Sequence, residues 1–528
     1  MLADRLLVNG RVYTMDGKRP QAWGLAIAGE RILAVEDDST ALRGLLAPGG
    51  EVLDLGGRCV LPGLTDSHIH FTGYALGLRD VILTGTATRG EMLALVAERA
   101  RETEPGEWVV GRGWDQELWP DRRFPTAANL DGVVPAHPVV LRAKSGHALV
   151  ANSLALQMAG ITAETLDPPG GRIGRHEDGR PNGMLFEDSA IGLVIDLIPQ
   201  PGPEEASAAL LRAFPGAWRV GLTSIHDVDG PPAFAAYQRL HARGKLGLRV
   251  VKYLPADALD CALEIGLRAG LGDDWLRVGG IKVFADGALG SRTAAMLAPC
   301  EGDTEDLGVL TIEEEALREL ARKAVAGGLP LAVHAIGDRA NRMVLDVLED
   351  VGTGGLRHRI EHAQLLHPDD VSRLAALGVV ASVQPIHATQ DCEVADRYWG
   401  DRCATAYAWR SLLEAGTVLA FGSDCPVEDL NPLLGIHAAV TRRRADGFPG
   451  PEGWYPEQRL TVEEAVRGFT LGAAQAVGLE DRLGSLAPGK LADLIVLDRD
   501  IFTCDPMAIA EARVEATMIG GRFVYGEG

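Results

Sequence analysis

The sequence is poor in cysteine: seven thiols are scattered over 528 residues, at positions 59, 261, 300, 392, 403, 425 and 504. Their number is odd, and no two of them form a C-x-x-C pair. A disulfide framework and a cysteine-based structural zinc site are therefore not expected, and a reducing compartment is the default. Because the first residues show no basic segment followed by an apolar run and a cleavage site, we expect a cytoplasmic protein.

Basic charge and long apolar runs are also scarce. The 51 Lys and Arg residues are outnumbered by 73 Asp and Glu residues, which gives a net charge of −22. Such an acidic chain is a poor partner for nucleic acid or for an anionic membrane surface. No apolar stretch approaches the roughly 20 residues that a membrane-spanning helix needs. The length and the 46% hydrophobic content indicate a soluble globular protein with a large core.

Lysine is the rarest charged residue type, with seven positions among the 51 basic residues. One of the seven, Lys282, lies within "GGIKVFADGALG", whose apolar run has the pattern of a buried strand. A buried ammonium group costs free energy unless it is paired or loses its charge. The position of Lys282 therefore requires a partner or a changed charge state.

The chain divides into three patterns. Short strands with Gly and Asp turns at both ends predict one small β-sandwich domain, formed by residues 1–58 and 480–528. Residues 59–479 alternate apolar strands with amphipathic helices, which predicts a (β/α)8 TIM-like barrel of α/β class. Its candidate strands are Val60–His70, Leu222–Asp227, Leu248–Tyr253, Gly280–Asp286, Pro330–His334, Arg359–His362, Val379–Gln384 and Val418–Asp424. Residues 74–215, rich in Trp, Gly and Pro, break this rhythm and predict an inserted α+β subdomain within the barrel.

Residues suited to bind a metal stand at the ends of several candidate strands. His68 and His70 in "LPGLTDSHIHFTG" are two positions apart, so on a strand both imidazoles face the same side and can ligate one ion. Three further strands end in a residue of this type: His334, His362 and Asp424. Because the carboxyl ends of parallel barrel strands open on one face, these side chains and Lys282 are expected around one cavity.

The order His-x-His, Lys, His, His, Asp on successive strands resembles that of the amidohydrolase superfamily. The flanking sequences are similar to its YtcJ-like branch, which includes N-substituted formamide deformylases. The matching stretches are "LPGLTDSHIHFTGYAL", "GRGWDQELWP", "SGHALVANSLAL", "GLTSIHD", "IKVFADGALGSRTA", "VHAIGDRA", "RIEHAQL", "FGSDCPVEDLNPLLGI" and "GSLAPGKLADLIVLD". They run from residue 61 to 498, and the first 60 residues fit the β domain of the family.

The resemblance implies a metal site with six ligands: His68, His70, Lys282, His334, His362 and Asp424. In this arrangement Lys282 is N-carboxylated by carbon dioxide and bridges two ions, and burial favours the neutral amine that this reaction needs. Zinc is the expected divalent metal for imidazole-rich ligands, although manganese, iron or nickel also suit them. We expect one or two ions, and two if Lys282 is carboxylated.

The resemblance further implies a hydrolase acting on carbon–nitrogen bonds other than peptide bonds, with a small amide or formamide-like molecule as substrate. A water between two ions becomes a hydroxide near neutral pH and attacks the carbonyl carbon. Asp424 acts as the catalytic general base and passes the proton to the leaving nitrogen.

Two alternatives remain open. The same residues suit a mononuclear deaminase or a cyclic-amide hydrolase, which would hold one metal. A catalytically silent binding or regulatory protein on the same fold is an alternative of another class, although the complete ligand set disfavours it. The resemblance is also compatible with a homodimer.

Four further residues are candidates for contact with the substrate: His147, Arg292, His387 and Trp114. Three of them have a structural alternative: a hydrogen-bonded structural histidine for His147, an ion pair that anchors a loop for Arg292, and a place in the core of the inserted segment for Trp114. Asp227 and Asp286 end strands, where they either support metal ligands through hydrogen bonds or cap helices.

Overall fold

The computed structural model describes residues 2–143, 148–168, 171–186, 188–199, 201–290, 292–302 and 304–527. The chain divides into two compact units. The first comprises residues 1–74 and 206–528, and the second comprises residues 75–205.

In the first unit, two sheets are built from both ends of the chain. The four-stranded sheet has the order Arg31–Glu36, Gly24–Ala28, Ala3–Val8 and Leu46–Asp54. The six-stranded sheet has the order Arg522–Tyr525, Val514–Ile519, Leu494–Leu497, Cys59–Pro62, Arg11–Tyr13 and Gln21–Ala22. Side chains of both sheets, among them Leu7, Ile27, Val60, Val496 and Met518, share one buried apolar cluster. This packing confirms the predicted β-sandwich.

Eight parallel strands of the same unit form the barrel sheet, and each is hydrogen-bonded to the next in chain order. From first to eighth they are Leu64–Ile69, Leu222–Asp227, Arg249–Pro255, Leu276–Phe284, Leu331–Ala335, Arg359–His362, Val380–Val383 and Leu419–Phe421. Beyond the eighth strand, the Asp424 N–H donates to the His68 carbonyl at 2.8 Å and the His70 N–H donates to the Cys425 carbonyl at 2.9 Å. The chain thus nearly closes the ring, which confirms the predicted TIM-like barrel.

Helices connect the strands of this unit. They are Ser39–Arg43, Pro231–Ala242, Leu259–Glu264, Glu314–Gly327, Asp338–Val351, Val371–Leu377, Pro385–Trp399, Trp409–Glu414, Pro432–Thr441, Val462–Arg467 and Ala473–Gln475, with Phe71–Gly77 and Pro203–Arg219 at the passages to and from the second unit. Shorter helical turns occupy Ala256–Ala258, Pro368–Asp370, Gly400–Thr405, Pro456–Gln458, Gly468–Gly472 and Pro506–Glu511. In Asp338–Val351 the buried Ala340, Val344 and Leu348 recur every fourth position and therefore line one face. In the described parts of the chain, none of the helices combines the length and apolar character needed to cross a membrane.

The second unit is built on a mixed six-stranded sheet. Its strand order is Arg172–Arg175, Pro181–Phe186, Ala148–Ala151, Val139–Ala143, Val109–Trp114 and Val81–Ile82. Its helices are Arg89–Arg101, Ala127–Asp131, Ser153–Met158 and Asp188–Ile195, with a helical turn at Gln116–Leu118. Val139 and Leu141 lie in one apolar cluster and Val140 lies in another, so alternate side chains of this strand supply two cores.

The predicted first barrel strand, Val60–His70, consists of two strands. Cys59–Pro62 belongs to the sandwich, Leu64–Ile69 belongs to the barrel, and Gly63 separates them. A Cβ atom on Gly63 would lie 2.3 Å from the Thr223 hydroxyl oxygen, so only glycine allows the chain to pass there. One residue therefore joins the sandwich to the strand that carries His68.

Candidate active site

Three of the predicted metal ligands come together at the carboxyl ends of the barrel strands. The ligand atoms of His68, His362 and Asp424 all lie within 4.8 Å of one another, and all three residues are buried. His68 Nε2 is 3.4 Å from Asp424 Oδ1, and the rings of His68 and His362 are 4.8 Å apart between centroids. The first strand, the sixth strand and the segment after the eighth strand thus place these three side chains close together.

Two of these three residues have unusual backbone conformations. His362 has φ of 74° and Asp424 has φ of 57°, both in the left-handed region that is unfavourable for residues with a Cβ. At Gly422, a Cβ would lie 2.6 Å from the His68 backbone nitrogen, so glycine permits the eighth strand to approach the first. The fold holds these conformations where ligands meet, as is common at functional sites.

His70 and His334 flank this group. His70 Nε2 is 3.6 Å from Asp424 Oδ1, while its Nδ1 shares a hydrogen bond of 2.9 Å with Asp229. Burial lowers the pKa of His70, but the Asp229 carboxylate outweighs it, so the net shift is upward. His334 donates from Nε2 to the Gly287 carbonyl at 2.9 Å, and its ring centroid lies 4.5 Å from that of His362. Burial, and after it the charge of Lys282, lowers the pKa of His334 to about 3, so its imidazole is neutral and able to ligate a cation.

Lys282 is buried on the fourth barrel strand, and its Nζ has no hydrogen-bond partner among the described residues. The Nζ lies 4.5 Å from the centroid of the Phe284 ring. Burial lowers the pKa of this amine to about 8. On the neighbouring strand the equally buried Lys252 is paired with Asp227 at 2.9 Å and donates to the Tyr253 carbonyl at 2.7 Å. The fold therefore pairs Lys252 with a carboxylate, whereas Lys282 has no hydrogen-bond partner in the described part of the chain.

Three side chains that sequence reasoning did not identify hold the imidazoles in place: Glu361, Gln384 and Asp229. Glu361 Oε2 lies 2.5 Å from His68 Nδ1, and Gln384 Oε1 lies 2.7 Å from His362 Nδ1. Because each oxygen accepts the Nδ1 proton, Nε2 of each ring keeps its lone pair for a cation. The sequence does place polar residues at these strand ends: Glu361 directly precedes His362, Gln384 directly follows Val380–Val383, and Asp229 lies two residues after Leu222–Asp227.

The two aspartates at strand ends have different roles. Asp286 accepts backbone N–H groups of Ala295, Ile336 and Gly337 at 2.8–3.0 Å, and burial raises its pKa to about 7. It therefore fixes the loops beside His334. Asp227 serves as the counter-ion of Lys252.

Of the four candidates for substrate contact, His387 reaches the site: its Nε2 is 3.4 Å from Asp424 Oδ2. Arg292 is exposed, with its guanidinium 5.7 Å from the Tyr398 ring centroid. Trp114 is wholly buried in the core of the second unit and donates its indole N–H to the Leu141 carbonyl at 2.8 Å, which supports the packing alternative. His147 lies outside the described residues.

Burial and hydrogen bonding shift the pKa values of Asp424 and His387 in opposite directions. Burial raises the pKa of Asp424, but hydrogen bonds from His387 and His68 outweigh it and hold that pKa well below its usual range. Burial lowers the pKa of His387, whereas its contacts with Asp424 and Glu428 raise it to about 10. Asp424 is therefore ionised.

A cavity of about 250 Å³ opens onto these residues, with His334, His362, His387 and Asp424 in its lining. Imidazole nitrogens and a carboxylate, with a buried amine near enough for its charge to act on His362, are a donor set that fits a divalent cation such as zinc. The arrangement could thus bind a metal beside a cavity large enough for part of a small molecule.

Comparison with known proteins identifies the family. Residues 51–525 match the sequence model of the amidohydrolase family. The protein LONG AFTER FAR-RED 3 of Arabidopsis thaliana is 35% identical, over 99% of this chain and 92% of its own. YtcJ of Bacillus subtilis (strain 168), named as an amidohydrolase, is 35% identical over 91% of both chains. The N-substituted formamide deformylase of Arthrobacter pascens is 31% identical, over 99% of this chain and 98% of its own.

Solved structures agree with these sequences. An uncharacterized metal-dependent hydrolase from Pyrococcus horikoshii OT3 matches with a TM-score of 0.80 and 30% identity, covering 95% of this chain and 99% of its own. The atrazine chlorohydrolase TrzN from Arthrobacter aurescens TC1, complexed with zinc, matches with a TM-score of 0.56 over 99% of this chain and 95% of its own; at 18% identity this likeness is one of fold alone. The resemblance inferred from the order of His, Lys and Asp residues is confirmed: the chain belongs to the amidohydrolase family.

Proposed function

We propose that this protein is a metal-dependent hydrolase that cleaves the C–N bond of small non-peptide amides, formamides included. The observation that carries the proposal is the buried Nζ of Lys282, which has no hydrogen-bond partner among the described residues and whose charge acts on His334 and His362. The similarity to a protein named N-substituted formamide deformylase over nearly the whole of both chains supports this class of substrate.

The residues divide naturally between two ions. His68, His70 and Asp424 would hold one ion, His334 and His362 would hold the other, and Lys282 would contribute to both. A bound divalent ion polarises the substrate carbonyl and lowers the pKa of a water molecule beside it.

Lys282 is suited to become an anion. Its lowered pKa leaves a substantial fraction of the amine neutral near pH 8. The neutral nitrogen adds to the carbon of carbon dioxide, an N–C bond forms, and one N–H proton leaves to solvent. The product is a carbamate, which replaces an unpaired buried cation by a carboxylate-like ligand.

Asp424 would move the proton during hydrolysis. Its carboxylate is ionised and within 3.4 Å of both His68 Nε2 and His387 Nε2. As the water oxygen bonds to the carbonyl carbon, Asp424 accepts the proton that the water loses. When the C–N bond breaks, the same carboxyl group gives its proton to the leaving nitrogen, and the products are a carboxylic acid and an amine.

One observation favours a second candidate, a mononuclear deaminase or cyclic-amide hydrolase. His68, His362 and Asp424 form a compact group, whereas His334 directs Nε2 to the Gly287 carbonyl. A single ion held by the compact group would be sufficient for that chemistry.

Metal analysis combined with a substrate panel tests the proposal. We expect two equivalents of metal per chain and turnover of N-alkylformamides or N-alkylacetamides. One equivalent with turnover of cyclic imides or amino-purines would favour the second candidate. Full metal occupancy without turnover of any of these compounds would contradict both and favour a binding or regulatory protein.

A further inference from the structure

Three residues that carry hydrogen-bond acceptors line the cavity: Gln364, Asp391 and Glu428. We call these three residues the acceptor wall. Among the described residues that line the cavity, none is Lys or Arg, and His387, whose pKa is raised, lies between Glu428 and Asp424. The remaining lining includes apolar side chains, among them Leu289, Ile336 and Val427. The cavity is thus apolar in part and rich in oxygen acceptors.

Glu428 places a carboxylate at a defined distance from the reacting groups. Its Oε1 is 3.4 Å from Nδ1 of His387, and the other nitrogen of that ring is 3.4 Å from Asp424. One imidazole ring therefore separates Glu428 from Asp424. Asp391 accepts a hydrogen bond from the Tyr407 hydroxyl at 2.9 Å.

Gln364 supplies an independent indication of a ligand. It is 4% exposed, and its Oε1 has no hydrogen-bond partner among the described residues. Its backbone carbonyl accepts the Tyr407 N–H at 2.6 Å, which fixes the position of the residue. A buried acceptor without a donor costs free energy, and a ligand carrying N–H groups would remove that cost.

We propose that the acceptor wall binds a protonated primary amine of the substrate. An ammonium group offers three donors and no acceptor, which matches three acceptor side chains, and Glu428 supplies opposite charge. Leu289, Ile336 and Val427 would pack against a short methylene chain between the ammonium and the scissile amide. The inference rests on the proposed amide hydrolysis and narrows its substrates to small amides that carry a cationic amine.

Two matched formamides test this in the metal-loaded enzyme: N-(3-aminopropyl)formamide and N-butylformamide, which differ by an ammonium group in place of a methyl group. We expect kcat/KM to favour the cationic compound by about tenfold or more, as a desolvated charge-assisted contact should. Glu428→Gln should abolish most of that preference, because it removes the negative charge that the ammonium group would contact. Glu428→Lys should reverse the preference towards 4-formamidobutanoate. Asp429→Asn, a change of the same charge at the exposed neighbouring position, should leave it unaltered.

A positioning role of Glu428 through His387 predicts a different result, namely equal losses for both formamides, and that result would overturn the inference. Equal kcat/KM for both formamides in the native enzyme would overturn it as well and leave the proposed function intact.

Calorimetry of the metal-loaded protein with n-butylammonium chloride and with n-butanol separates the two proposals. Binding of n-butylammonium that Glu428→Gln weakens at least about tenfold, without hydrolysis of either formamide, would support the acceptor wall and contradict the proposed function. The absence of both n-butylammonium binding and any preference in turnover would reject the acceptor wall.

Discussion

Nδ1 of His68 lies 2.5 Å from Oε2 of Glu361, and both side chains are shielded from solvent. Glu361 is also paired with Arg359, whose guanidinium donates to the Ser67 carbonyl at 2.8 Å. Burial raises the pKa of Glu361, but the charges of Arg359 and His68 outweigh it, so the net shift is downward and the carboxylate stays ionised. A buried anion thus orients a ring that faces the proposed metal.

Replacement of Glu361 by Gln should weaken metal binding by about 10- to 100-fold, because the amide is a poorer acceptor for His68 Nδ1–H and leaves Arg359 without its counter-charge. Competition with a fluorescent chelator measures the affinity. Glu414→Gln, on an exposed helical position, is the control and should change nothing. An affinity of Glu361→Gln within twofold of the native value would contradict the role assigned to Glu361.

Lys282→Ala should lose one of two metal equivalents and reduce kcat about a thousandfold, because it removes the proposed bridging anion. Metal content and hydrolysis of an N-alkylformamide are measured on the same preparation. Lys323→Ala, which removes an exposed ammonium group 3.1 Å from Asp260, serves as the control. If Lys282→Ala retains both ions and its rate, the bridging role is wrong.

Carboxylation of Lys282 in the metal-free protein should rise with pH. The pKa of the amine is lowered from 10.5 to about 8, so its neutral fraction is about 1% at pH 6 and about one half at pH 8. At a constant concentration of dissolved ¹³CO₂, the carbamate signal in carbon NMR should therefore increase steeply over this interval and be absent in Lys282→Ala. A signal that does not change between pH 6 and pH 8 is incompatible with this pKa.

Asp424→Asn should reduce kcat by about 10²- to 10⁴-fold, the usual contribution of a positioned general base. The amide cannot take a proton from the attacking water, although it can still accept a hydrogen bond from His387. A pre-steady-state measurement of amine release reports the chemical step directly. Release at the native rate would assign the proton transfer to another group.

A buried ion pair between Arg249 and Asp493 connects the third barrel strand with the sandwich, with N···O distances of 2.6 and 2.9 Å. Arg249→Met leaves a buried carboxylate unpaired and should destabilise the protein by about 3–5 kcal/mol. The double variant Arg249→Met/Asp493→Leu should lose less than the single one, as judged by the midpoint of thermal unfolding in calorimetry. Lys323→Met breaks an exposed pair and should cost at most about 1 kcal/mol. A double variant less stable than either single variant would contradict the explanation that the loss of stability comes from a buried charge left without its partner.

The barrel was predictable because its strands are short apolar runs that end in polar residues, and this pattern depends only on local sequence. The division of Val60–His70 into two strands was not predictable, because it depends on the contact between Gly63 and Thr223, which are far apart in sequence. The local pattern of apolar residues identifies a strand, but it does not determine which sheet the strand joins.

In the site, the histidines and Asp424 were identifiable since strand-end positions share one face of a barrel. Glu361 and Gln384 were missed because a polar residue in a strand has many possible partners, and only the fold shows that each of these lies against an imidazole. Trp114 shows the converse: its motif matches the family, yet its indole is packed in a core. Motif membership alone does not distinguish a side chain that lines a cavity from one that supports it.

Gly63 is the whole connection between Cys59–Pro62 and Leu64–Ile69, so the sheet that contains Cys59–Pro62 influences the strand that carries the proposed ligand His68. Cys59–Pro62 is hydrogen-bonded to Leu494–Leu497, whose residues are separated from it by more than 400 positions. During synthesis, Cys59–Pro62 can pair with Arg11–Tyr13, but its other neighbour, Leu494–Leu497, is absent until those residues have left the ribosome. The sheet beside the segment that carries His68 and His70 is therefore completed late, and a polypeptide truncated before Leu494 is not expected to bind the proposed metal in the native arrangement.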